Sequence, residues 1–182
     1  MPTVISHAAV AVAASFGLGS SRGFVKLVFL SIICAVIPDA DMIGYHLFYI
    51  PYTSFLGHRG FSHSICFAAL FSALIVFAFY RSDSISSWMK YFLFFFILTA
   101  SHGILDAFTN GGHGIALLSP FTDYRYVFPF TPIEVSPFSP RAFLGQRGLI
   151  ILKSELLWTW MPSLFAAVLL KLVINRKLKN RP

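Results

Sequence analysis

The heptad HRGFSHS, residues 58 to 64, places two histidines and an arginine directly before an apolar run, ICFAALFSALIVFAF. The chain has six histidines and seven acids among 182 residues, so groups able to bind metal or move protons are few. His7 lies near the start of the first apolar stretch, and Asp39 and Asp41 sit in PDAD. His102 and Asp106 sit in SHGILD at i, i+4, a spacing that projects both from one helix face. Ionisable groups at membrane depth are costly and turn toward the bundle interior. A divalent cation would hold several imidazoles and carboxylates together and remove the cost of leaving them unpaired. Imidazole with carboxylate suits zinc first, with manganese or iron as alternatives. Seven side chains qualify as ligands: His7, Asp39, Asp41, His58, His63, His102 and Asp106. They suffice for one ion, or for two bridged by a carboxylate, which would clamp the attacking and leaving oxygens of a phosphoryl transfer. Each also has a plainer reading. A lone interfacial histidine contacts headgroups, Asp39 and Asp41 end a helix after Pro38, and an i, i+4 pair bonds to itself.

The elements that must position these groups follow from composition. The chain is 57% hydrophobic and 12% charged, with a mean hydropathy of +0.74. Ordinary globular domains are about 25% charged. The expected class is an all-α, polytopic membrane helix bundle. The net charge of +7 lies in scattered residues and a basic tail, KLVINRKLKNRP, rather than in a stripe, so no nucleic-acid partner is expected. Cys34 and Cys66 lie inside apolar runs and read as free thiols. The opening MPTVISHAAV has no basic residue before its apolar stretch, unlike a cleaved signal peptide, and is read as retained.

A spanning helix needs about 20 apolar residues. Five spans are expected, at about 3–20, 23–38, 63–80, 89–108 and 156–175. The second ends at Pro38. Residues 109–155, rich in proline, glycine and aromatics, read as an irregular cap at one membrane face. The whole chain reads as one membrane-embedded domain, 1–182, with a metal-site core at about 5–150. Alternating directions bring all seven candidate ligands to the same face, because the first and third spans carry theirs at the start and the second and fourth at the end. The basic residues orient the bundle. Arg22, Lys26, Arg81, Lys90, Lys171, Arg176, Lys177, Lys179 and Arg181 fall on one side; Arg59, Arg125, Arg141, Arg147 and Lys153 fall on the other. This places the C-terminus in the cytoplasm and the site at the opposite face.

Arg59 cannot bind metal. A guanidinium beside a metal site suits an anionic substrate, with a headgroup contact as the plainer alternative. Arg125, Arg141 and Arg147 are further candidates from the cap. Asp41 is the candidate for orienting an attacking water. Glu134, an acid within the cap, is a weaker candidate base, and His113 in NGGHG a late ligand; His46 reads as interfacial. Gly60 would let the heptad turn, and Ser62 would cap the third span.

These motifs together resemble the YdjM-like family of bacterial inner-membrane metal-dependent hydrolases. Its pattern has an early His, P-D-x-D, H-R-G-x-[ST]-H-S, S-H-x-x-L-D, a T-x-x-G loop and P-F. The chain supplies His7, Pro38 to Asp41, His58 to Ser64, Ser101 to Asp106, and Pro120-Phe121, so the resemblance covers about residues 5 to 150. The family is distantly similar to zinc-dependent phospholipase C and single-strand nucleases, helical enzymes with an HxxxD pair. That similarity implies His102 and Asp106 as ligands, Asp39 or Asp41 with His63 completing a site, and His7 on a second ion. The later HxxxE pair of the soluble enzymes is missing, so their three-metal centre is not expected.

The resulting expectation is hydrolysis of a phosphoester, small or lipid-linked, by metal-activated water, with membrane lipids as the surroundings. The alternatives are a metal transporter or sensor and a non-catalytic membrane protein. No HExxH or GxSxG motif is present, and no arginine precedes His102 in YFLFFFILTAS as acid-type lipid phosphatases require.

Overall fold

The computed structural model describes residues 1–18, 23–81, 84–137 and 140–179; Arg22 and Arg181, used above for orientation, lie outside them. The first helix, α1 (Val4–Leu18), is followed by α2 (Phe24–Val36). A 3₁₀ turn (Ile37–Ala40) and α3 (Asp41–Phe48) continue α2 as one apolar rod of 25 residues. The expected stop at Pro38 does not occur. Pro38 lies at the second position of the 3₁₀ turn, a helix-start position where a missing N–H is tolerated. Asp39 and Asp41 are therefore held on a helical rod rather than in a loop after it.

A short 3₁₀ turn (Phe61–His63) leads into α4 (Ile65–Phe79), followed by α5 (Ile85–Ala107). After the cap come α6 (Pro140–Phe143) and α7 (Gln146–Glu155), then a π-helical turn (Leu156–Trp160) and α8 (Met161–Lys179). Among the described residues, three helices are long and apolar enough to cross a membrane: Phe24–Phe48, Ile85–Ala107 and Gln146–Lys177. The apolar helices α1 and α4 have 15 residues each, or about 22 Å at 1.5 Å per residue, short of a hydrocarbon core about 30 Å thick. The cap is also shorter than expected, because its last ten residues form α7. The described residues contain no strand; two isolated bridges, Thr109 with Ile133 and Ile115 with Tyr126, fold the cap on itself.

Helix α1 packs against α2 and α8, α4 against α5, and α2 against α5. Leu30, Cys34, Val76 and Phe95 form one buried core between α2, α4 and α5; Ala11, Ala35 and Leu98 form a second where α1 joins. Small side chains permit these close approaches, which membrane helices use in place of hydrophobic drive. A Cβ at Gly17 would stand 3.1 Å from the Ala167 carbonyl, and the Ser15 and Ser31 hydroxyls meet at 3.0 Å between α1 and α2. Outward faces are apolar: Leu164, Phe165 and Leu172 of α8 are all more than half exposed.

The heptad turns differently from the expectation. Arg59 takes the left-handed conformation, at φ 63°. Gly60 serves by lacking a side chain, since a Cβ there would lie 2.4 Å from the Phe55 carbonyl. Ser64, rather than Ser62, caps α4 by accepting the Phe67 N–H at 3.0 Å. Gly103 lets α5 approach this turn, because a Cβ there would lie 2.5 Å from the His63 carbonyl oxygen. Gly103→Ala is therefore expected to destabilise the protein by about 1–3 kcal/mol, the usual cost of overpacking. Thermal unfolding in detergent checks it, and an unchanged midpoint would contradict this packing.

Candidate metal centre

Four ligand atoms converge from three parts of the chain. The 3₁₀ turn after α2 supplies Asp39, the turn before α4 supplies His63, and α5 supplies His102 and Asp106; all four residues are buried, and one ligand atom of each lies within 4.8 Å of the others. His63 Nε2 is 3.2 Å from His102 Nε2. Asp39 Oδ1 lies 3.3 Å from His102 Nε2 and 3.6 Å from His63 Nε2, and Asp106 Oδ2 is 3.6 Å from His63 Nε2. A tetrahedral shell with bonds of about 2.0–2.1 Å places its ligand atoms about 3.3–3.4 Å apart. The observed separations match that spacing.

The hydrogen bonds behind the rings fix which nitrogen faces inward. His102 Nδ1 donates to the Ala35 carbonyl at 2.7 Å, because a carbonyl can only accept. His63 Nδ1 lies 3.2 Å from Asp41 Oδ2 and 2.9 Å from Ser62 Oγ, whose hydroxyl lies 2.6 Å from the same carboxylate oxygen. Carboxylate or carbonyl partners of this kind orient metal-binding histidines. Both Nε2 lone pairs are thereby aimed at one point, and without a cation or proton between them they repel.

His7 stacks on His102, with ring centroids 3.8 Å apart, and its Nε2 is 3.4 Å from Asp106 Oδ1. Buried side-chain atoms without a hydrogen-bond partner include His7 Nε2, both oxygens of Asp39 and both of Asp106. Buried polar groups are nearly always paired, so five such atoms around one point call for a ligand. Asp41 differs. It holds His58 Nδ1 at 2.8 Å, the Arg59 N–H at 3.2 Å and the Ser62 hydroxyl, so its oxygens are satisfied. Asp41, His58 and His63 are also close enough to group around an ion. The satisfied carboxylate nonetheless suits Asp41 to holding His63 in place.

His63 stands outside the long apolar helices. Burial works against charging its ring, but hydrogen bonding to Asp39 and Asp41 and the charge of Asp106 outweigh it and push its pKa up to about 9.

Of the expected substrate-binding arginines, Arg59 is 2% exposed. Its guanidinium faces Asp106 Oδ2 at 3.1 Å and donates to the Gly111 carbonyl at 2.8 Å and to Thr109 Oγ1 at 2.9 Å, so it steadies the carboxylate. Arg125 donates to the carbonyls of Tyr52, His58 and Arg59, tying the cap to the heptad. Arg147 pairs with Glu134 at 2.7 Å, and Arg141 is exposed on α6. His113 is exposed and lies edge-on to Tyr52. The structure brings none of Arg125, Arg141, Arg147, Glu134 and His113 into the ligand group.

Sequence reasoning missed Glu155. It is fully buried at the end of α7 and accepts from the Thr3 N–H, from Thr3 Oγ1 at 2.7 Å and from Ser6 Oγ at 2.7 Å. Trp160 Nε1, in the π-helical turn, donates to the same Ser6 hydroxyl at 2.6 Å. The last membrane helix thus grips the first turn of α1, one residue before His7. The available signal was an acid within the apolar run KSELLWTW. A span starting at 156 leaves that acid in a loop.

Residues 1–178 match the YdjM inner membrane protein family. The chain belongs to this family. It is also 39% identical over 167 residues to Inner membrane protein YbcI of Escherichia coli (strain K12), covering 90% of this chain and 94% of that protein. No solved structure matches. Like these YdjM-family relatives the chain is an inner membrane protein, and their names state a location without a chemistry. The chemistry rests on the cluster.

Two outcomes are expected. A metal ion must displace the His63 proton, which is bound below a pKa of about 9. Zinc binding at pH 7 should therefore release a proton, and apparent affinity should rise with pH until about 9; titration in two buffers of different ionisation enthalpy checks this, and pH-independent affinity would contradict it. Glu155→Ala should cost about 1–3 kcal/mol by stranding buried donors. It should also weaken metal binding by about 10–100-fold, the range for groups that orient ligands. Chelator competition measures the second effect, and wild-type affinity would remove Glu155 from any part in placing His7.

Proposed function

We propose that this protein is a membrane-bound, metal-dependent hydrolase of phosphoesters. The observation that carries the reading is the set of five buried atoms on His7, Asp39 and Asp106 that make no hydrogen bond, beside two inward-facing imidazole nitrogens. Asp39, His63, His102 and Asp106 would hold a divalent ion, zinc first by donor type, with manganese or iron as alternatives. Asp106 Oδ1 and His7 Nε2, left over at 3.4 Å, would take a second. When bound, such an ion lowers the pKa of water toward 7 and supplies hydroxide, and a pair of ions stabilises both oxygens of an in-line displacement.

The chain's own groups do the positioning. Asp41 holds His63 by its Nδ1, the Ala35 carbonyl holds His102, and Arg59 holds Asp106. The reading extends to topology: α1 and α4 cross with the three longer helices as a five-span domain, the basic C-terminal end of α8 lies in the cytoplasm, and the cluster faces the opposite side. Membrane lipids then surround the site, and a lipid-linked phosphoester is a natural substrate. Transporters place ligands near the midplane on broken helices. The break at Ile37–Ala40 favours that second reading, whereas the folded cap over the site favours a reaction chamber.

Metal analysis of detergent-purified protein tests the proposal, together with hydrolysis of bis-p-nitrophenyl phosphate. One or two divalent ions per chain are expected, with metal-dependent turnover. His63→Ala and Asp106→Ala should lose the ion and drop turnover by about 100-fold or more. A wild type without stoichiometric metal defeats the hydrolase reading, and retained metal without turnover shifts weight to the transporter.

A further inference from the structure

One cavity, of about 160 Å³, reaches the cluster. It is lined in part by Arg59, Asp106, Asn110, Gly112, Tyr126 and Thr131. Asp106 lines this space; its oxygens face Arg59 Nε at 3.1 Å and His7 Nε2 at 3.4 Å and accept no hydrogen bond. Among the described lining residues Asp106 is the one acid and Arg59 the one cation. The remaining wall is rich in donors. Asn110 Oδ1 accepts the Val135 N–H at 2.9 Å, which leaves its amide nitrogen to donate elsewhere. Gly112 holds φ at +98°, and a Cβ on it would lie 2.3 Å from Arg59 Nη1, so loop backbone rests directly on the guanidinium. Main-chain donors in such turns form anion-binding concavities.

Size narrows the occupant. Sites for drug-sized ligands run about 300–1,000 Å³. A cavity of 160 Å³ admits one compact polar group and leaves the remainder of a larger molecule outside. The larger cavity between α1 and α8, 580 Å³, is walled mostly by apolar side chains, with Lys171 its one charged lining residue among those described, and includes none of the ligand residues.

We propose that the smaller cavity seats a compact phosphoryl group, free or on a lipid headgroup, beside Asp106. Asn110 is its side-chain donor, and Arg59, whose guanidinium is held by Asp106, Gly111 and Thr109, supplies the positive charge beside it. The inference rests on the metal-dependent reading above and adds the substrate's size and place.

The test uses the full chain loaded with manganese, whose stoichiometry is measured first. Inorganic phosphate is then titrated, with paramagnetic broadening of its ³¹P signal as readout. Asn110→Asp keeps the acceptor for the Val135 N–H and replaces the donor by a negative charge at an exposed position. At equal manganese content this variant should bind phosphate about tenfold more weakly or worse. Competition follows in two arms, glycerol phosphate in solution and phosphatidic acid in phosphatidylcholine nanodiscs. Displacement by either supports the seat, and the stronger competitor identifies the source. Equal phosphate affinity in wild type and Asn110→Asp, or displacement by neither competitor, overturns the seat. A wild type that holds no manganese overturns instead the metal reading beneath it.

Discussion

The structure depends on one electrostatic constraint: the Asp39 and Asp106 carboxylates and two imidazole lone pairs share a buried site near the membrane without enough donors to satisfy them. Burying an unpaired ion costs several kcal/mol even after relaxation. Arg59 and a proton on His63 offset part of this. A structural divalent ion contributes about 10–16 kcal/mol, which is larger than that cost. A group this costly when empty would become favourable with such an ion bound, which is what the proposed metal site requires.

The fold serves that constraint by bringing irregular backbone to the site. Asp39 lies on a 3₁₀ turn inside a long rod, His63 on a second 3₁₀ turn, and Arg59 in a left-handed conformation between glycine-dependent approaches. Regular helix supplies His102 and Asp106 from α5 and His7 from α1. Irregular backbone at membrane depth is tolerated where protein or a cavity covers it, and here the cap folds over it. The last helix provides no ligand, yet it buries Glu155 against the first turn of α1. That contact fixes the turn immediately before His7.

Much of this was legible in the sequence, because hydropathy and the rarity of ionisable residues carry strong signals in an apolar chain. Five apolar segments and the convergence of His7, Asp39, His63, His102 and Asp106 follow from them, although the second and last helices run beyond their expected bounds. Other features depend on contacts between distant segments. Pro38 reads as a stop unless the following turn is known to be 3₁₀. Arg59 reads as a free clamp until Gly111 and Thr109 are placed on its guanidinium. Ser62 reads as a cap although Asp41 claims its hydroxyl. Glu155 is invisible because its partners lie about 150 residues away.

X-ray absorption at the zinc edge of the loaded, full-length protein bears most directly on the central claim. The account predicts a first shell of nitrogen and oxygen at about 2.0–2.1 Å, with the outer scattering of at least two imidazoles from His63 and His102. A shell with sulfur, or one of oxygen alone without imidazole scattering, would contradict it.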